Sequence, residues 1–401
     1  MTETLRKYFK GDAVVWSVIV ALSIISLLAV YSSTGTLAYK SAHGNTTYYV
    51  LKHFTFMFIG FIIIYVTHRI PYKYYSRLSQ LFLLVSIPLL GLTLVFGAHI
   101  NDASRWLAVP GLGFKFQTSD FAKLAIIMYL ARVLSLKQEV IKDFKLAFIP
   151  LIAPVGLICI LILPANFSTA AILFAACLVM MFVGRVNIKH ILALVGIAIV
   201  ALALFISLSL LFHKEGRTKL WKTRIENFVS GESEDNFQAE QSKIAIATGG
   251  IIGKGPGNSV QRNYLPLPYA DFIYSIIIEE YGLTGGIIVI FFYLWLLFRA
   301  GIMVRKSDKT FPAFLAFGLT LLLVFQAMVN MAVAVNLFPV TGQTLPLVSM
   351  GGTSVLFSCF ALGIILSVSH RNMELEEVST DLANPENFNK QESEENSDEK
   401  Q

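Results

Sequence analysis

The sequence predicts an all-α polytopic membrane protein of about ten transmembrane helices, with N and C termini cytoplasmic and one large extracytoplasmic loop between helices 7 and 8. Three observations carry that expectation. Of 401 residues, 55% are hydrophobic and only 14% charged, whereas a soluble domain carries about a quarter charged residues. Lipid is the solvent that tolerates such a deficit, because there the outside of a protein must also be apolar. Apolar stretches near the ~20 residues a spanning helix needs recur along the chain. The charges between them sort into two classes of loop.

Taken in order, the segments fall at 14–33, 50–67, 78–97, 119–135, 146–163, 168–184, 189–212, 271–298, 311–336 and 352–369. The first follows Arg6, Lys7 and Lys10 and has no small-x-small cleavage site, so it reads as a retained helix. The fourth is the weakest, interrupted by Lys123 and Arg132. Only Pro164–Phe167 separates the fifth from the sixth, which leaves a re-entrant pair open there. With the N-terminus inside, the inner short loops 68–77, 132–146, 185–189 and 299–309 hold thirteen Lys and Arg, and the outer ones hold only Lys40, Arg105 and Lys115. That is the positive-inside bias. It also accounts for the basic body of the chain, whose overall charge is +6, without nucleic-acid binding. Residues 1–13 are then a cytoplasmic segment, 14–370 the membrane domain with its outer loop 213–270, and 371–401 an acidic tail. From Met373 to Gln401 ten Asp and Glu face two Lys, and so polar a stretch reads as disordered. No internal repeat of the kind that marks many secondary transporters is visible. Cys159, Cys177 and Cys359 lie in apolar segments as small buried residues, and the seven His are scattered without metal-ligand spacing.

Residues able to do chemistry gather in the outer loops. The 213–270 loop ends in Leu265-Pro-Leu-Pro-Tyr-Ala-Asp271, and an apolar helix follows at once. Asp271 is the first candidate for catalysis; the same position suits a helix N-cap. Glu279 and Glu280 come two to three turns along, and carboxylates at membrane depth pair or face a cavity. Adjacent helical positions point about 100° apart, so the two are not expected to face one site equally. Gly282, Gly285 and Gly286 then allow close packing or a kink. The stretch Gly249-Gly250-Ile-Ile-Gly253-Lys254-Gly255-Pro-Gly257 fails as a nucleotide loop, because Thr248 and Gly255 stand where that motif needs Gly and Ser or Thr. Gln117, Ser119, Asp120 and Lys123 open the fourth segment; Asp120 and Lys123, three apart, share a helix face and suit a local ion pair. With Arg105 they would suit a polyanion. The uncharged, Pro/Gly-broken loop 337–351, with Thr341 and Ser349 inside it and Ser354 just after, is tolerated at membrane depth only when buried or lining a cavity. Asn330 and Asn336 precede it as polar groups in apolar sequence.

Several of these motifs, in order, resemble the SEDS family (shape, elongation, division and sporulation), of FtsW and RodA type, over about residues 14–370. They are Arg105-Trp106 with Phe116-Gln-Thr-Ser-Asp-Phe-Ala-Lys123, Gln241-Ser242 through the glycine stretch, Asp271-Phe-Ile-Tyr-Ser-Ile-Ile-Ile-Glu279-Glu280-Tyr-Gly282, and Pro339-Val-Thr-Gly342 through Leu345-Pro346 to Gly351-Gly352-Thr353-Ser354. The resemblance implies a peptidoglycan glycosyltransferase that polymerises lipid II at the outer face of the bacterial cytoplasmic membrane. It also implies a class B penicillin-binding protein as crosslinking partner, with other divisome membrane proteins, and no nucleic acid. Overall likeness and the cytoplasmic tail lean to the FtsW division branch and the septum. The family's essential Asp falls on Asp271. The family's Glu four positions before it and His two positions before it are here Leu267 and Tyr269, and its Asp between helices five and six is Asn166; its Gln-Pro-Ser-Glu becomes Gln117-Thr118-Ser119-Asp120.

The expected reaction inverts an α-linked sugar diphosphate to a β-linked glycan. It needs a base for the incoming 4-hydroxyl, given to Asp271, and positive charge for the departing diphosphate, given to Arg105 and Lys123, with a divalent cation (Mg or Mn) as a further candidate. Gln117, Ser119, Gln241, Ser242, Thr341, Ser349 and Ser354 are expected at the substrate, and Asp120, Glu279, Glu280 and Asn330 around the cavity. The rival readings are a lipid II flippase, which needs charge reachable from both faces, and a non-catalytic activator of the transpeptidase.

Overall fold

The computed structural model describes residues 10–35, 37, 46–100, 103–109, 114–212 and 234–383. Eleven long helices are described: α1 (Ala13–Ser33), α2 (Thr46–Thr67), α3 (Tyr72–Phe96), α4 (Thr118–Leu136), α5 (Ile149–Ile162), α6 (Phe167–Val183), α7 (Ile188–Phe212), α8 (Glu234–Gly249), α9 (Ile273–Lys306), α10 (Thr310–Ala334) and α11 (Thr353–Ala383). Each of the ten expected segments falls on one of them. Seven helical stretches are long and apolar enough to cross a membrane: α1, α2, α3, Phe144–Ile162, α9, α10 and Thr353–Arg371. The stretch Phe144–Ile162 exists because a π-turn, Phe144–Phe148, capped by Asp143, runs into α5.

The core is built around α4, α10 and α11. Residues Ala122 to Met128 of α4 are all buried, so this helix is enclosed by protein. That is why its charged residues are tolerated where a lipid-facing helix would exclude them. α3 and α10 pack on α4, and α2 packs on α11. On the expected cytoplasmic side, Asp12 caps α1 through Val14 and Val15, and its Oδ2 accepts from Arg299 Nε at 2.7 Å. This ties the start of α1 to α9.

Three features depart from the sequence expectation. The outer loop 98–118 holds an antiparallel sheet, β1 (Ala98–Ile100), β2 (Ala103–Val109) and β3 (Phe114–Gln117) in that order, with Trp106 opposite Gln117. The outer loop 213–270 contains α8, whose small residues Ala239, Ser242, Ala245 and Gly249 are buried where it packs on α9 and α10. The acidic tail does not begin at 371: α11 runs to Ala383. A helix already formed extends without paying for nucleation, and Glu374 to Ala383 is rich in helix formers.

Candidate active site

Asp271 sits at the end of a turn in which Ala270 N–H and Asp271 N–H both donate to Leu267 O, at 3.1 and 3.2 Å. It is not the N-cap of α9. Phe272 takes that position, and its carbonyl accepts from Ser275 and Ile276. The carbonyl of Asp271 is instead occupied by Asn330 Nδ2 at 2.9 Å. The two preceding carbonyls are held as well: Ala270 O accepts from Ser349 Oγ at 2.6 Å, and Tyr269 O from Met350 N–H at 2.9 Å. Three successive carbonyls are thus fixed by α10 and the loop that follows it. From the 267–271 segment only backbone atoms enter the turn and these bonds, so the side chains of Leu267 and Tyr269 stand where the family has others without disturbing them. The Asp271 side chain is partly exposed. Beside it, burial pushes the Tyr269 phenol above its ordinary range, with Tyr49 and Asp271 adding to the effect, so it stays protonated.

Loop 335–352 is itself wired to α4. Lys123 Nζ lies 2.8 Å from Asp120 Oδ1 and donates to Gln326 Oε1 at 2.9 Å. Gln326 Nε2 donates to Thr344 O at 2.9 Å, and the Thr344 and Ser354 hydroxyls meet at 3.1 Å. Asn330 Nδ2 also holds Gln343 O at 2.7 Å, while Gln343 Nε2 donates to Thr169 Oγ1 at 2.7 Å. Lys123 is therefore a buried strut, only 5% exposed, and not a cation open to substrate. Ser349 and Ser354, expected at the substrate, are part of the same scaffold.

Glu279 and Glu280 differ from expectation in both place and task. α9 is broken at Gly282 (φ 71°, ψ −173°). The short part, 273–281, folds back on the long part: Tyr274 Oη donates to Gly286 O at 3.3 Å, whereas twelve residues of straight helix would separate them by about 18 Å. The break is filled by the glycine stretch. Lys254 and Gly255 N–H donate to the carbonyls of Glu279 and Glu280 at 3.0 and 2.9 Å; Leu283 and Thr284 N–H donate to those of Gly250 and Ile251 at 2.9 and 3.3 Å. Backbones meet so closely that a Cβ on Gly253 would lie 2.2 Å from Glu280 O, and one on Gly282 2.1 Å from Ile251 O. The glycines serve this splice. Glu279 binds Lys254 Nζ at 2.7 Å, the Ser259 hydroxyl and the N–H groups of Val260 and Gln261. Glu280 accepts from the Ser32 hydroxyl and from Ser259 N–H. Both carboxylates thus face one loop after all, since that loop wraps the end of the short part.

Glu280 is level with Ser32 near the end of α1, while the loop holding Asp271 reaches down to Ser26, whose hydroxyl donates to Val348 O at 2.8 Å. Six helical residues separate those levels, about 9 Å. Ser349 and Met350, next to Val348 in this loop, hold the turn that carries Asp271.

Other expected residues serve the frame or bond among themselves. Ser242 is wedged between helices, its hydroxyl against the Ser275 hydroxyl and the Ala334 carbonyl. Gln241 is half-buried on α8 and Thr341 buried in the loop. Gln117 Nε2 donates to Ser119 Oγ at 3.2 Å, and Ser119 lines a small crevice with Thr93, Thr118 and Asn166. Asn166 caps α6 through Thr169 N–H at 3.2 Å, a task that needs no charge. Arg105 lies on β2, but its side chain is outside the described residues. Among the described residues no group of three or more His, Cys, Asp or Glu gathers to hold a metal ion. Gln326, Gln343 and Thr344 were not legible as functional beforehand; amides in apolar sequence were the available signal.

Comparisons with known proteins bear on the family and the fold. The family model FTSW_RODA_SPOVE, described as "Cell cycle protein", matches residues 12–374. A "Probable peptidoglycan glycosyltransferase FtsW" of Trichlorobacter lovleyi is 35% identical over 379 residues, covering 92% of this chain and 96% of the relative. One of the same description from Coxiella burnetii is 32% identical over 365 residues, covering 88% and 95%. The rod shape determining protein RodA of Thermus thermophilus superposes with a TM-score of 0.66 at 22% identity, covering 91% of this chain and 98% of that one. A chain from work on "polymerization and crosslinking by a peptidoglycan synthase complex" gives 0.67 at 23% identity, covering 90% and 98%. These two likenesses concern the fold.

Proposed function

This chain belongs to the FtsW/RodA/SpoVE family of cell cycle proteins, and we infer from that membership and from the firmly held, partly exposed Asp271 that it is a peptidoglycan glycosyltransferase. Its relatives carry that description over nearly their whole length. The proposed substrate is lipid II, taken at the outer face of the cytoplasmic membrane, and the proposed setting is the division septum. The likeness to a chain of a peptidoglycan synthase complex supports a class B penicillin-binding protein as the crosslinking partner, among other divisome membrane proteins.

The observation that carries the reading is the fixing of three consecutive carbonyls, at Tyr269, Ala270 and Asp271, beneath one partly exposed carboxylate. In the proposed step the acceptor's 4-oxygen attacks the donor's anomeric carbon from the face opposite the diphosphate. The new C–O bond forms as the bond to the phosphate oxygen breaks. The 4-hydroxyl proton goes to Asp271, and the electron pair leaves with the diphosphate. A carboxylate is a weak base for a sugar hydroxyl, so holding it in a near-attack position must supply much of the rate. Arg105 on β2 is the proposed cation for the diphosphate. Lys123 contributes by bracing Gln326 and Thr344. Among the described residues no group of three or more His, Cys, Asp or Glu gathers for a metal; a Mg or Mn ion would be carried in by the substrate diphosphate, where it would neutralise the departing charge and leave Asp271 free as the base.

Purified protein with its transpeptidase partner should polymerise lipid II, and Asp271→Asn should abolish that while preserving expression and partner binding. Near-normal polymerisation by the variant would remove Asp271 from the chemistry. Transport of lipid II across vesicles without polymer would instead identify a flippase.

A further inference from the structure

We propose that His53, on α2, is a positioning residue for the transfer reaction, acting as a fixed neutral donor that clamps the loop carrying Asp271 through Ser26 and Val348. The inference rests on the glycosyltransferase reading and adds to it a residue on α2, the helix that also carries Tyr49 near Tyr269.

The geometry starts from Ser26. Its hydroxyl lies 2.7 Å from His53 Nε2 and 2.8 Å from Val348 O. A hydroxyl has one proton to give, and a carbonyl can only accept. Ser26 therefore donates to Val348 and accepts from His53. That order requires the proton on Nε2 and leaves Nδ1 bare. Nδ1 is buried with no hydrogen-bond partner, and His53 is 1% exposed. A buried acceptor without a partner is costly, and an apolar side chain at this place would avoid that cost. The histidine is kept for what its other nitrogen holds.

What it holds is strained. Leu347 has φ +64°, a conformation that costs a side-chain-bearing residue energy and persists only where its surroundings over-determine it. The carbonyls on either side are both restrained: Pro346 O accepts from the Tyr293 hydroxyl, and Val348 O from Ser26. The next two residues deliver the site, since Ser349 Oγ holds Ala270 O and Met350 N–H holds Tyr269 O. A continuous line of hydrogen bonds thus runs from α2 through α1 and the loop to the residue before Asp271. Loss of the His53 donor lets the Ser26 hydroxyl turn away, as serines in helices readily do toward their own backbone, and the clamp on the strained loop opens.

The test uses full-length protein with its transpeptidase partner and lipid II. Glutamine places an amide N–H near the position of imidazole Nε2; asparagine reaches only as far as Nδ1. His53→Ala and Ser26→Ala should each lower kcat at least tenfold with KM changed less than twofold. The double variant should be no worse than either single one. His53→Gln should recover most of kcat and His53→Asn should not, at matched yield and thermal stability in detergent. Equal recovery by Gln and Asn, a fall confined to KM, additive losses, or wild-type kcat in His53→Ala would each overturn the proposal. Asp271→Asn run alongside separates the two levels. A wild type that polymerises while Asp271→Asn does not upholds the glycosyltransferase reading whatever His53 does. A wild type that makes no polymer overturns both.

Discussion

At the scale of single residues, the site works by restraint. Asn330 gives both amide protons to carbonyls, those of Asp271 and Gln343. Asn330→Ala should leave both unsatisfied and let the Asp271 turn drift. A displacement near 1 Å costs about 10²-fold in rate, so kcat for lipid II polymerisation should fall on that order with less change in KM. Lys123 and Asp120 make a different prediction. Removing one member of a buried pair strands the other, at roughly 3–5 kcal/mol. Lys123→Met should therefore lower the melting temperature in detergent sharply, and the Asp120→Asn/Lys123→Met double variant should recover most of the loss. An uncoupled pair would show additive losses. The candidacy of Asp271, Lys123 and Asn330 was legible in the sequence, because charges and amides in apolar surroundings stand out. Their tasks were not. Whether a lysine meets substrate or another side chain depends on Gln326, 203 residues away, and no local pattern encodes that pairing.

At the scale of elements, the decisive feature is the break in α9. The sequence shows Gly282 followed by Gly285 and Gly286, which permits a kink, and shows the separate run Gly249 to Gly257. It does not show that one run fills the break in the other. That is why Glu279 and Glu280 read as intramembrane carboxylates when they bind the loop that wraps the end of the short part. The splice predicts a contrast between neighbouring glycines. Gly250 has φ +57° but open space around its Cβ direction, so Gly250→Ala should cost only about 1–2 kcal/mol of left-handed strain. Gly253→Ala would put a methyl 2.2 Å from Glu280 O, and backbone on both sides must part. Its folded yield and activity should collapse, and equal behaviour of the two variants would contradict the splice. β2 and β3 were not read from the sequence either, although Pro110-Gly111-Leu112-Gly113 between them is a turn signal.

At the scale of the whole molecule, the hydrophobic segments located the helices well, since lipid imposes one strong requirement on every span. α4 shows where that signal weakens, because a helix enclosed by protein is free to carry Asp120, Lys123 and Arg132. The sidedness of the molecule follows from loop charge and is open to direct measurement. Cysteine at the exposed Asn263 should react with a membrane-impermeant thiol reagent in spheroplasts, and cysteine at the exposed Asp308 should not. The opposite pattern would invert the molecule and remove Asp271 from the outer face. The native Cys177 and Cys359 are buried and Cys159 is half-buried, which keeps the background low. With that face outside, α10 and the loop after it hold the turn that carries Asp271, the proposed base for a lipid-linked sugar. The most direct measurement is glycan polymer formed from lipid II by the purified protein and its transpeptidase partner, wild type against Asp271→Asn. Polymer from the wild type and none from the variant, at equal folding and partner binding, is the predicted result. Polymer from both would contradict it.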